Sequence, residues 1–177
     1  MNIVLIGMRG SGKSSVGQLL AMQYGKKFIE MDEEVVKKAG MSIVDIFAKH
    51  GPEYFRDRES EVVEEMIVGR DDLVVATGGG VVMREHNVEL LKKNAVCIWL
   101  RASIDTLVDR TEHDADTSHH RPKLTDKSSA YEETATVLEQ REPLYEKASD
   151  EVVDTENRTA EQVVDEIVQI LQKKSIT

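Results

Sequence analysis

The sequence predicts an α/β protein built in three layers, α/β/α, around a parallel sheet with helices on both faces. Two observations carry that prediction. Five short apolar runs, at residues 2–6, about 27–30, 72–76, 95–100 and 151–154, alternate with segments patterned as helices. The first run passes directly into Gly7-Met8-Arg9-Gly10-Ser11-Gly12-Lys13-Ser14, a complete G-x-x-x-x-G-K-S phosphate-binding loop, or P-loop. Ligands of such sheets gather outside the carboxyl ends of the strands, so residues just past those ends are the functional candidates.

Taken in chain order, residues 2–6 are rich in β-branched side chains, and a helix pattern runs from Lys13 to Tyr24. A strand, a glycine-rich turn and a helix start let successive backbone N–H groups curl around a phosphate, with the helix N-terminus adding partial positive charge. Gly10, Ser11, Gly12, Lys13, Ser14 and Ser15 are therefore nucleotide-binding candidates. Lys13 suits the β- and γ-phosphate oxygens, and the Ser14 hydroxyl suits Mg²⁺.

The second run ends in Phe28-Ile29-Glu30-Met31-Asp32. If it is extended, Glu30 and Asp32 point the same way. One carboxylate can then hold Mg²⁺, directly or through water, while the other accepts hydrogen bonds from a substrate and acts as base. The competing expectation is a solvated helix start. Arg58 to Val68 follows, with Val62, Val63, Met66 and Ile67 on one helical face. The third run ends in Thr77-Gly78-Gly79-Gly80, where three glycines allow close approach and free N–H groups for a substrate. The fourth run holds Cys97, expected to be buried. Thr111 to Thr125 is polar and almost without apolar anchors, the pattern of a functional lid, with Arg121-Pro122 near its end. The last helix pattern, Ala160 to Gln172, gathers Val163, Val164, Ile167, Ile170 and Leu171 on one face.

Composition narrows the class. The 177 residues are expected to form one domain, 1–177, and 40% hydrophobic with 32% charged residues is the mix of an ordinary globular chain. No apolar run approaches the ~20 residues that span a bilayer, and the immediate entry into a strand leaves no room for a signal peptide. One cysteine excludes an internal disulfide, and together these features favour the cytoplasm. The net charge of −10, from 23 basic and 33 acidic residues, argues against a nucleic-acid partner. Neither N-K-x-D nor D-x-x-G occurs, which argues against a guanine-nucleotide switch.

The ordered motifs resemble the shikimate kinase family along nearly the whole chain. The matching segments are Gly10 to Ser14, Asp32, Gly40 to Phe47, Phe55-Arg56, Ala76 to Gly80, Arg121-Pro122, Arg141-Glu142-Pro143-Leu144-Tyr145 and Val153-Asp154-Thr155. The resemblance implies phosphorylation of the 3-hydroxyl of shikimate by ATP, on the route to chorismate and aromatic amino acids. It implies a P-loop core of five parallel strands, a helical substrate-binding segment at about 32–60, a mobile lid at about 111–125, and a monomer. It assigns Asp32 to the substrate hydroxyls and to proton removal, Arg56 and Arg141 to the shikimate carboxylate, and Gly79, within the Gly78–Gly80 turn, to backbone contact. Arg121 would reach the ATP phosphates, and Arg110 and Arg158 the adenine end. Two positions depart from the family pattern. Glu30-Met31-Asp32 stands for a paired Asp-x-Asp, which leaves the metal role of Glu30 less certain than that of Ser14, and Lys123 stands where an apolar residue often follows the proline. His119 and His120, adjacent and without further ligands at suitable spacing, make a poor metal site. Two other readings are a related small-molecule kinase lacking the carboxylate-binding arginines and a regulatory nucleotide-binding module without turnover.

Overall fold

The structure, a computed structural model, describes residues 1–113 and 129–174. Its strands are β1 (Asn2–Ile6), β2 (Lys27–Glu30), β3 (Leu73–Ala76), β4 (Ala95–Arg101) and β5 (Glu151–Asp154), joined in one all-parallel sheet of order β2-β3-β1-β4-β5. The helices are α1 (Lys13–Tyr24), α2 (Met31–Ala39), α3 (Ile43–Ile67), α4 (Glu85–Asn94), α5 (Ile104–His113), α6 (Ala130–Ala148) and α7 (Ala160–Lys173).

β1 is the central strand, and all five of its residues are buried. A parallel strand covered on both faces needs a continuous apolar run rather than alternation. Its side chains nevertheless divide between two cores. Val4 and Ile6 join Val75, Cys97 and Trp99 beneath α3, α4 and α6. Ile3 and Leu5 join Val74, Ile98 and Leu100 beneath α1 and α7, where Val16, Leu20, Val163 and Ile167 close the layer. The three-layer architecture follows directly from that division.

Register decides what meets at the top of the sheet. Leu5 of β1 lies opposite Ala76 of β3, and Ala76 lies opposite Glu30 of β2. The P-loop leaving Ile6, the glycine turn after Ala76 and the acidic segment after Glu30 therefore emerge side by side.

Two elements differ from the sequence reading. The helix expected at Arg58 to Val68 is the later part of α3, which reaches back to Ile43 across a kink at Gly51 (φ 81°, ψ 176°). Pro52 follows the kink, where a proline opens the second helical half without forfeiting a needed N–H. Val62, Val63 and Ile67 are buried as the periodicity predicts, and Met66 is half-buried. The third strand begins at Leu73 rather than at 72, because Asp72 adopts φ 64° in the preceding turn. Of the expected lid, Thr111 to His113 end α5; residues 114–125, with His119, His120, Arg121 and Lys123, lie outside the described residues. Among the described residues, no helix is long and apolar enough to cross a membrane.

Candidate active site

The P-loop turns between β1 and α1. Gly10 and Gly12 sit at φ 80° and 91°, in the left-handed region that glycine enters without penalty. Lys13 is buried, and its ammonium donates to the carbonyls of Gly7 at 3.0 Å and Met8 at 2.8 Å. These contacts fold the lysine back over its own loop. Ser14 and Ser15 are exposed in the first turn of α1.

On one side of the loop, Ser11, Gly12, Ser15, Arg110, Thr155 and Arg158 line a recess of about 200 Å³. Arg110 is held there by Thr155, bonding its carbonyl at 2.8 Å and its hydroxyl at 3.0 Å. Arg158 bonds the carbonyls of Asp154 at 2.9 Å and Gln162 at 2.8 Å and pairs with Glu166. Both guanidiniums are thus set by the end of β5 and the start of α7, whose first turn carries a Thr159–Gln162 capping box.

On the other side lies a cleft of about 180 Å³. Its polar lining includes Arg9, Asp32, Arg56, Glu59, Arg141 and the turn Gly78–Gly80; Ile43, Phe47, Phe55 and Val137 supply an apolar wall. Asp32 stands in the first turn of α2, where a helix N-terminus favours negative charge. The strand ends at Glu30, so the two carboxylates do not share one extended run; Asp32 starts a helix and lines the cleft. Glu30 ends β2 as the residue preceding α2 and does not belong to the cleft lining.

The glycine turn is the geometric centre of the cleft. A Cβ at Gly78 would lie 2.8 Å from Asp32 Oδ1 and 2.7 Å from Glu59 Oε1. At Gly79 it would lie 3.5 Å from Arg141 Nη1, and at Gly80 only 2.1 Å from Arg56 Nη2. At Gly78 and Gly80 the missing side chain is space occupied by charged groups from other elements, while at Gly79 the Arg141 guanidinium stands at ordinary contact distance. Residues 32, 56, 59 and 141, from three separate helices, are brought together by packing onto three consecutive glycines.

Sequence reasoning did not single out Glu59, Arg9 or Tyr145 as site residues. Glu59 is fully buried, and its Oε2 accepts a hydrogen bond from Arg56 Nη1. Its other oxygen has no hydrogen-bond partner among the described residues. Burial pushes its carboxyl up to about 7; the Arg56 and Arg141 charges pull the other way, and Asp32 adds to the rise. A signal was present. Glu59 occupies the same helical stripe as Val62, Val63 and Met66, at spacings of 3, 4 and 7, so a charge there had to be buried.

A P-loop facing a carboxylate- and arginine-lined cleft at the top of a parallel sheet defines a small-molecule kinase of the P-loop class. The family model for shikimate kinase matches residues 9–172. A shikimate kinase from Thermodesulfovibrio yellowstonii is 41% identical over 174 residues, covering 98% of this chain and 96% of its own. One from Symbiobacterium thermophilum is also 41% identical over 174 residues, covering 98% of each chain. The solved structure of shikimate kinase from Acinetobacter baumannii in complex with shikimate superposes with a TM-score of 0.91 at 31% identity, covering 99% of this chain and 95% of that one. The chain belongs to the shikimate kinase family.

Proposed function

We propose that this chain, acting as one domain, transfers the γ-phosphate of ATP to the 3-hydroxyl of shikimate, yielding shikimate 3-phosphate and ADP. The observation that carries the reading is the convergence of Asp32, Arg56 and Arg141 on the Gly78–Gly80 turn beside the P-loop. Shikimate carries one carboxylate, three hydroxyls and an apolar ring face. Among the groups that line the cleft, the Arg56 and Arg141 guanidiniums, the Asp32 carboxylate and a wall containing Phe47 and Phe55 match those features.

Phosphoryl transfer asks the protein mainly for positioning and charge neutralisation. Arg56 and Arg141 hold the acceptor's carboxylate, and the turn's N–H groups hold the ring substituents. Asp32 accepts a hydrogen bond from the reacting hydroxyl and takes its proton as the oxygen bonds to the γ-phosphorus. The bond from that phosphorus to the β–γ bridging oxygen breaks, and the departing charge stays on ADP. Lys13 follows the phosphates, exchanging its carbonyl contacts in the loop for their oxygens; by family resemblance Arg121 adds a second cation there. Arg110 and Arg158 frame the nucleotide's base from the recess on the other side. Mg²⁺ takes one or two protein ligands with phosphate oxygens and waters. Ser14, exposed at the end of the P-loop, fits that demand through its hydroxyl, with Glu30 as its water-mediated partner. When bound, Mg²⁺ would supply charge neutralisation at the β- and γ-phosphates.

By family resemblance the chain acts as a monomer. A lone cysteine buried in β4, its thiol pushed up to about 12 by burial, suits the reducing cytoplasm. ADP release measured with shikimate, with gluconate, with nucleoside monophosphates and with no acceptor tests the assignment. Shikimate should stimulate release strongly and the others weakly; turnover independent of shikimate, or preference for another acceptor, would remove it.

A further inference from the structure

The segment Arg141 to Tyr145 brings more than an arginine to the site. The two residues are four apart on α6 and share one face of it. Tyr145 is fully buried and lies behind the cleft rather than in its lining. Its ring stacks on Trp99 of β4, with centroids 5.7 Å and planes 26° apart. The hydroxyl lies at the point where the P-loop, the glycine turn and α6 meet. There it donates to the Gly79 carbonyl at 2.5 Å and lies 3.6 Å from Met8 Sδ.

We propose that Tyr145 is a positioning residue for the acceptor: its hydroxyl holds the Gly79–Gly80 peptide in the orientation that the substrate meets. Three consecutive glycines form the least restrained backbone in the cleft. Their other turn bonds, Val81 N–H to the Gly78 carbonyl and Met83 N–H to the Gly80 carbonyl, do not restrain the carbonyl of Gly79. Tyr145 does. Because the peptide is planar, fixing that carbonyl also fixes the Gly80 N–H on the opposite edge. The same turn packs against Arg56 at Gly80 and Arg141 at Gly79, and Arg141 also bonds the Tyr145 hydroxyl directly, so the phenol ties the turn and that guanidinium together. Burial raises the phenol to about 12, so the group stays a proton donor throughout the neutral range. The inference rests on shikimate being the acceptor, and its test separates the two.

The experiment uses the full chain and two variants, Tyr145→Phe and Trp99→Phe, at a temperature where circular dichroism shows all three folded. Tyr145→Phe keeps the ring and removes the hydroxyl. It should raise the shikimate KM about five- to tenfold, the worth of one neutral hydrogen bond, and leave the ATP KM within about twofold. Trp99→Phe loosens the packing behind the ring but keeps the hydroxyl, so it should lower Tm with little change in the shikimate KM. A shikimate KM within about twofold of the parent in Tyr145→Phe overturns the proposal. So does an equal rise in both KM values, or a rise in Trp99→Phe as large as in Tyr145→Phe. A parent chain that fails to phosphorylate shikimate overturns the acceptor assignment instead.

Discussion

Replacing Gly80 with alanine probes the acceptor site through space rather than charge. Gly80 has φ −101°, a conformation open to any residue, so alanine introduces no backbone strain. What it introduces is a methyl group that would lie 2.1 to 2.3 Å from the Arg56 guanidinium. Ordinary contact needs about 3.5 Å, so the guanidinium must retreat by more than about 1 Å. The arginine stem is flexible and can make that move, but its ion pair with the buried Glu59 loosens with it, so the melt should show a modest loss of stability as well. The carboxylate clamp loses its geometry. A charge-assisted hydrogen bond contributes about 1.5–3 kcal/mol, so a displaced Arg56 should raise the shikimate KM by about 10- to 100-fold. Misplacement of the acceptor by about 1 Å should also lower kcat. The ATP KM should stay near the parent value, since Arg56 lies in the acceptor cleft and not in the nucleotide recess. Coupled ADP-release rates with each substrate varied in turn, beside a thermal melt, measure all of this. A Gly80→Ala enzyme with parental shikimate KM and kcat would refute the argument that Arg56 works from the space glycine leaves. Arg56→Ala is the less informative variant, because it also removes the hydrogen-bond partner of the buried Glu59 and mixes a folding defect into the kinetics.

Further predictions concern two fully buried polar side chains, Glu59 and Asn2. Glu59 has a folded pKa of about 7, above its ordinary value of 4.5, so the native state binds the extra proton between those limits. Its contribution to stability is complete below about pH 4.5 and is lost as pH rises through about 7; Glu59→Gln should flatten the fall in Tm between pH 5 and pH 8, and an unchanged slope would place the titration elsewhere. Asn2, fully buried at the start of β1, donates to the carbonyls of Arg70 at 2.8 Å and Asn94 at 3.3 Å and accepts from Leu73 N–H at 3.1 Å. Asn2→Ala leaves those three backbone groups unpaired and should cost about 2–4 kcal/mol in denaturant titration, with kcat unchanged wherever the variant is folded. A loss below about 0.5 kcal/mol would show that water replaces the side chain there.

The donor half of the site was legible in the sequence because its physics is local. A strand, a turn with glycines at 7, 10 and 12 and a helix start are contiguous, and the loop's backbone conformation follows from residue types a few positions apart. The five strands and the amphipathic faces of α3 and α7 were readable for the same reason, since periodicity is a property of a segment. Glycine-rich Thr77–Gly80 was readable as a point of close approach, but not what approaches it. Arg56 and Arg141 lie in charged, helix-like surroundings indistinguishable by composition from surface ion pairs; family resemblance, not pattern, directed attention to them. The partnership of Glu59 with Arg56, and of Tyr145 with Gly79, had no comparable marker beyond a charge on an apolar stripe and a tyrosine in a motif.

Sequence alone thus determined the fold class, the phosphate-binding loop and the family. Tertiary structure decided the lining of the cleft: which charged groups pack on Gly78, Gly79 and Gly80, that Glu59 loses its solvent and Tyr145 its exposure, and that Asp32 faces the cleft while Glu30 ends its strand outside it. The physical reason is that desolvation and close packing depend on neighbours brought from distant parts of the chain by sheet register and helix packing, and no local window of the chain contains them.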